Sequence, residues 1–258
     1  HGNTAQSAAE YGYFGPDGRQ SLMKDMLQIT RYARTLYPGV PVVLMGCGTS
    51  CILCRKFVTL FGKETDGLIL SGPGYLDKNK ALWARAAAKE EFERGGAFYR
   101  SRLCRAMTAG SYEQYFSTVL TEGSWLTRDE PEAAKYDEDP ACGFYLTASA
   151  WYDLARFSVD LSRKKDFDKI PRELPVLILS GMDDAAGGFT KDVLKLYNES
   201  VWMGMKDMDI QFYRDTRHDL LHEINRMKVF RDILDWLEQH VLRTEAGQEA
   251  AAPEEKEG

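Results

Sequence analysis

No stretch of the 258 residues approaches the run of about 20 apolar residues that a membrane-spanning helix needs. An excess of basic charge is missing too. Lys and Arg number 33 against 39 Asp and Glu, a net charge of −6, which excludes a general electrostatic grip on nucleic acid or anionic lipid. There is no internal repeat, so a solenoid is excluded. Cysteines are few and odd in number, and three of the five (Cys47, Cys51, Cys54) crowd one short stretch while Cys104 and Cys142 stand apart. That is no disulfide framework, and it points to a reducing, cytoplasmic compartment. The opening HGNTAQSAAEYG lacks the basic and apolar regions of a signal peptide, and its first residue is histidine, from which we expect a chain truncated relative to a longer protein.

What is present is an alternation of strand and helix signals. Leu22, Met23, Met26, Leu27, Ile29, Ala33 and Leu36 fall at helical spacing over 19–36, and Pro38-Gly39 stops the pattern. The run 42–45 is short, apolar and β-branched at its start, as in a parallel strand buried on both faces. A helix over 49–61 follows, ended by Gly62, then strand signals at 67–72, 174–181 and 208–213, with helices over 188–203 and 225–242. The order implies an α/β fold with a parallel sheet. Between 76 and 165 the chain changes to polar helices rich in aromatics, read as an inserted helical cap. The expected organisation is therefore 1–75 and 166–242 as core, 76–165 as cap, and 243–258, with almost no large apolar residue, as a disordered tail.

The candidate chemistry lies at the strand ends. Gly46-Cys47-Gly48-Thr49-Ser50 follows a strand and opens a helix, the setting of the G-x-S-x-G nucleophile elbow, but glycine stands at the apex and serine at the outer position. Asp183-Asp184 follow LILSGM, and Arg217-His218-Asp219 follow the last strand, so candidate nucleophile, acid and histidine occur in the chain order of such hydrolases. Glycine offers no atom to activate, so acyl-enzyme chemistry at position 48 is excluded. Cys47 and Ser50 are the candidate replacements. Cys47, one residue before the apex, is expected to point away from His218 into the sheet edge. His222 and His240 are expected at the surface and near the last helix's C-terminus, where a cation is favourable.

Four stretches, HGNTAQS, LYPGVPVVLMG, WLTRDEPEAAKYDEDPACGFYLTASAWYDL, and LPVLILSGMDDAAGG with YRDTRHDLLHEINR, resemble the bacterial α/β-hydrolases of the monoacylglycerol lipase and lysophospholipase type, grouped with the serine aminopeptidase-like hydrolases. The resemblance covers the chain from His1 to about Leu242. It implies ester hydrolysis of acylglycerols or lysophospholipids without a cofactor or metal, and a small-molecule lipid ester as the partner rather than nucleic acid. It assigns the acid to Asp184, the general base to His218, the nucleophile position to Gly48 and one oxyanion donor to the Thr49 N–H. Asp184 fits the family's G-D-x-D spacing if Met182 replaces the first aspartate, and Ala185-Ala186 replace a usual proline-valine pair. It also implies a histidine-glycine oxyanion loop among four earlier strands, which nothing in the chain matches. An exposed apolar edge along strand 42–46 is the expected consequence, and an impaired copy the expected state. Two rival readings stand beside this one. The first is a non-catalytic lipid- or ligand-binding module. The second rests on Cys47-x3-Cys51-x2-Cys54, whose spacing resembles the three-cysteine motif of radical S-adenosylmethionine enzymes and would make the chain an iron–sulfur protein.

Overall fold

The computed structural model describes residues 4–116 and 122–242. His1 to Asn3 and the tail from Arg243, expected to be disordered, lie outside the described residues. The chain runs α1 (Gly18–Leu36), β1 (Val43–Cys47), α2 (Ser50–Phe61) and β2 (Gly67–Ser71). It continues through α3 (Lys78–Gly95), α4 (Arg102–Ala106), α5 (Ala109–Glu113), α6 (Glu130–Glu138), α7 (Ala148–Leu161) and α8 (Lys164–Phe167). It closes with β3 (Val176–Gly181), α9 (Lys191–Trp202), β4 (Met208–Tyr213) and α10 (Arg226–Leu237), after which Glu238–Leu242 forms a π-helical turn.

The four strands form one parallel sheet in the order β1-β2-β3-β4. Side chains alternate across it. Leu68, Leu70, Val176 and Ile178 meet Phe57 and Val58 of α2, Phe157 of α7 and Val193 and Leu196 of α9. Ile69, Leu177 and Leu179 face the other way, onto Leu220, Val229 and Trp236. β2 and β3 are buried along their whole length, as continuous apolar runs between two helical layers must be. β1 is not buried on both faces. It lies at a sheet edge among the described residues, with Val43 and Leu44 half-buried, Met45 and Cys47 exposed and only Gly46 buried. Val40, three residues before β1, is exposed too, as are Ile29, Tyr32 and Leu36 of α1.

Among the described residues the stretch between β2 and β3 contains helices and turns and no strand. Small residues let its two longest helices approach: Ala81 and Ala88 of α3 and Ala148 and Ala150 of α7 are buried where the two pack. Thr147 caps α7 by accepting from the Ala150 N–H. Asp160 at the far end of α7 pairs with buried Lys56 of α2 at 3.2 Å and with Arg19 of α1, locking the three helices together. Register aligns Cys47 with Ser71 and Ser71 with Leu179, so the turns after all four strands open at one end of the sheet. This is the end where parallel α/β sheets place their ligands.

Candidate active site

The turn after β1 has the backbone of an elbow. Gly48 sits at φ +54°, a left-handed conformation that costs glycine nothing, and its N–H donates to the Ser71 carbonyl at 2.8 Å. A Cβ placed on Gly48 would stand 2.7 Å from His218 Nε2, so the imidazole edge has settled into the space a side chain at the apex would need. The other ring nitrogen faces Asp184, whose carboxylate oxygens lie 3.0 and 3.1 Å from Nδ1. Since a carboxylate only accepts, Nδ1 carries the proton and Nε2 presents its lone pair to the apex. Asp184 is fully buried; Asp183, the neighbouring candidate, instead donates its N–H to the Thr216 carbonyl.

The histidine loop is braced from two sides. Gly181 closes β3 so near it that an added Cβ would lie 2.1 Å from the Thr216 carbonyl oxygen, a contact only glycine permits. From the other side, residues 124–128 grip it. The Asp219 N–H donates to the Leu126 carbonyl at 2.7 Å, Thr127 Oγ1 donates to the His222 carbonyl, and Arg217 donates to the Ser124 carbonyl. Trp125 lies against the imidazole with ring centroids 4.8 Å apart. Beneath this contact Glu223, fully buried, accepts from the N–H groups of Arg217 (2.9 Å), Ile224 (3.0 Å) and Arg128 (3.2 Å).

Burial alone lowers the His218 pKa, but the Asp184 carboxylate and its hydrogen bond outweigh it, with Asp219 adding, so the value stands above that of an ordinary histidine. The sign of the stability effect follows. Below the unfolded-state value of about 6.5 both states bind the proton and the pair contributes in full. As pH rises through the raised folded-state value, that contribution is lost. Urea unfolding between pH 5.5 and 9 is expected to show the native chain losing stability relative to His218→Gln; a gain with rising pH contradicts the pairing.

Above the apex lies a cavity of about 780 Å³. Gly48, Thr49, His218, Trp125, Tyr145 and Trp151 all contribute to its wall, whereas Tyr152 stacks on Phe92 away from it. The Thr49 N–H makes no hydrogen bond among the described residues. Ser50 is occupied by its own turn: its hydroxyl donates to the Cys47 carbonyl at 2.8 Å and accepts from the Cys47 N–H at 2.7 Å.

The cysteines do not behave as a cluster. Cys47, the last residue of β1, is exposed at the cavity rather than pointing into the sheet edge; desolvation and then the Asp219 charge push its thiol up. Cys51 and Cys54 lie beneath the turn, where desolvation raises Cys51 well above its ordinary value and pushes Cys54 up to about 12. The Cys51 thiol is directed at the Gly46 and Ser71 carbonyls. Among the described residues the three sulfurs do not converge within 4.8 Å, and the group that does is Asp207, Asp209 and His240. There the imidazole itself bridges the carboxylates, Nδ1 at 2.9 Å from Asp207 and Nε2 at 3.1 Å from Asp209. His222, exposed as expected, pairs with Asp219 at 2.8 Å.

The family model described as serine aminopeptidase, S33, matches residues 1–225. The chain belongs to this α/β-hydrolase family. Solved structures agree on the fold of this hydrolase. A thermostable carboxyl esterase from Bacillus coagulans superposes with a TM-score of 0.83 at 19% identity, covering 93% of this chain and 78% of that one. A soluble variant of monoglyceride lipase from Saccharomyces cerevisiae, in complex with a substrate analog, gives 0.66 at 18%, covering 92% and 74%. A monoacylglycerol lipase from Paleococcus ferrophilus gives 0.60 at 18%, covering 86% and 76%. No curated protein matches the sequence. Among the described residues no helix of the hydrolase is long and apolar enough to cross a membrane. Sequence reasoning missed three residues at or behind this site, Glu223, Tyr75 and Arg55. The last was discoverable: Thr49, Ile52 and Arg55 follow at three-residue spacing and all line the cavity.

Proposed function

We propose that this hydrolase has a carboxylic-ester site for small lipid esters, acylglycerols or lysophospholipids, in which His218 is the general base, Asp184 its acid partner and the Thr49 N–H an oxyanion donor. Gly48 stands at the vacated nucleophile position, and the native chain is impaired in turnover. The observation that carries the reading is the Asp184–His218 pair aimed at the apex on the floor of the cavity. A volume of about 780 Å³ is within the range of small-molecule sites, roughly 300–1,000 Å³. In the ester chemistry of this fold the base removes a proton from a hydroxyl at the apex, and the backbone donor meets the charge that develops on the carbonyl oxygen. On this reading His218 and the Thr49 N–H supply a base and one donor, and glycine at position 48 supplies no hydroxyl. The stretch 76–165 is read as the cap over the acyl chain, and the five free thiols favour the cytoplasm.

A second reading, a non-catalytic binding module with the same pocket, is favoured by the imidazole edge filling the apex space. Hydrolysis of p-nitrophenyl esters tests the impairment that both readings share. The expected result for the native chain is a rate at the no-enzyme blank, since loss of a triad nucleophile costs on the order of a million-fold in the best-studied case. Turnover abolished by His218→Ala would overturn the impairment and point to Cys47 or Ser50, which Cys47→Ala then distinguishes.

A further inference from the structure

The cavity that holds the apex also holds charge at a distance from it. Arg55 is on the cavity-lining face of α2, seven residues beyond Gly48 and so about 10 Å along the helix axis. Close to it stand Tyr75 and Glu199, both in the same wall. Tyr75 donates its hydroxyl to Glu199 Oε2 at 2.6 Å, which satisfies one carboxylate oxygen. Glu199 is near enough to act on the Arg55 charge, yet Arg55 makes no hydrogen bond and no ion pair within 4.0 Å among the described residues. Partial burial lowers its pKa, with Cys51, Glu199 and Tyr75 acting in the opposite direction.

A guanidinium stays protonated under any ordinary condition and carries five N–H donors in a planar fork. Half-buried in the cavity wall and without an acceptor among the described residues, the group is open to a carboxylate or phosphate, which fits the fork with two parallel hydrogen bonds. Lys80, which is exposed, and Arg105, which is paired with Glu113, are further cations of the cavity wall. Asp192, another acid of the wall, is paired with Lys195 at 2.9 Å. We propose that the ester taken by this cavity carries an anionic group, a carboxylate or a phosphate, that docks on Arg55. The inference rests on the ester-site reading and narrows it: a neutral monoacylglycerol leaves the guanidinium without acceptors, whereas an ester bearing an anion about 10 Å from its carbonyl fills both ends of the cavity.

Binding by the native chain tests this without any need for turnover. Isothermal titration with octyl phosphate, octanoate and 1-octanol compares two anionic heads with a neutral one on the same alkyl chain. At least one anionic probe is expected to bind about 10-fold tighter than 1-octanol. Arg55→Gln should bring that ratio close to 1 with 1-octanol binding unchanged, which also reports that the cavity is intact, and Arg55→Lys should keep part of the preference. Octyl phosphate above octanoate assigns a phosphate-bearing ester, and the reverse order a carboxylate-bearing one. Equal binding of all three probes overturns the inference and leaves the ester site standing. A preference that survives Arg55→Gln and disappears with His218→Gln also overturns it, since the anion then sits at the apex. If none of the three binds, the ester-site reading falls and this inference with it.

Discussion

Gly48→Ser is expected to raise hydrolysis of a short p-nitrophenyl ester about 1,000-fold over the native chain. Restoring a triad nucleophile is worth on the order of a million-fold, and a missing oxyanion donor costs roughly 100- to 1,000-fold, which is charged here because the proposed site has the Thr49 N–H as its one donor. The serine Cβ would meet His218 Nε2 at 2.7 Å, closer than a carbon tolerates, so the ring must withdraw slightly. It can, because the contact is with the far end of a side chain rather than with backbone. The hydroxyl then lies between the base and the cavity, and the gain should disappear with His218→Ala or Asp184→Ala. A folded Gly48→Ser protein that remains at the blank rate with every ester would separate Gly48, Asp184 and His218 into unrelated features.

Glu223→Ala is expected to be the most damaging single change to the fold near this site. Glu223 has no exposure and accepts from three backbone N–H groups, and the Arg128 guanidinium stands 3.3 Å from it. Truncation leaves those donors and one cation without their acceptor in a closed space, a loss of about 3–5 kcal/mol by comparison with other broken buried pairs. Glu223→Gln keeps one acceptor oxygen and should lose less. Urea midpoints measure both; a loss for Glu223→Ala below about 1 kcal/mol, the scale of a surface ion pair, contradicts the role.

These residues differ in how far the sequence reveals them. The elbow is legible because its chemistry is local: an apolar run, glycines at 46 and 48 and a helix start occupy a dozen neighbouring residues, and positive φ at Gly48 is what that pattern demands. Strands β2 and β3 are legible for a similar reason, as uninterrupted apolar runs. β1 carries the same signal but lies at an edge, since such a run reports affinity for burial and not how many neighbours the strand acquires. Glu223 is hidden in the polar stretch HEINR, which reads as surface; its burial comes from residues 124–128, some 95 positions earlier in the chain. Cys47, expected to point into the sheet edge because it stands one residue before the apex, instead opens on the cavity at the end of β1. The spacing of Cys47, Cys51 and Cys54 resembles a ligand motif, yet a helix carries Cys51 and Cys54 under the turn while Cys47, at the end of β1, stays exposed.

The central claim is that position 48, His218 and Asp184 form one constellation facing an ester-binding cavity, and covalent labelling tests it most directly. Gly48→Ser protein is incubated with an alkyl fluorophosphonate, which a base-activated serine attacks with loss of fluoride, and intact mass is recorded beside the native chain and the Gly48→Ser/His218→Ala double variant. The account predicts one adduct per chain, mapped to position 48, in the single variant, and none in the native chain or the double variant. An adduct formed equally well without His218, or its absence from a folded Gly48→Ser chain, would contradict it.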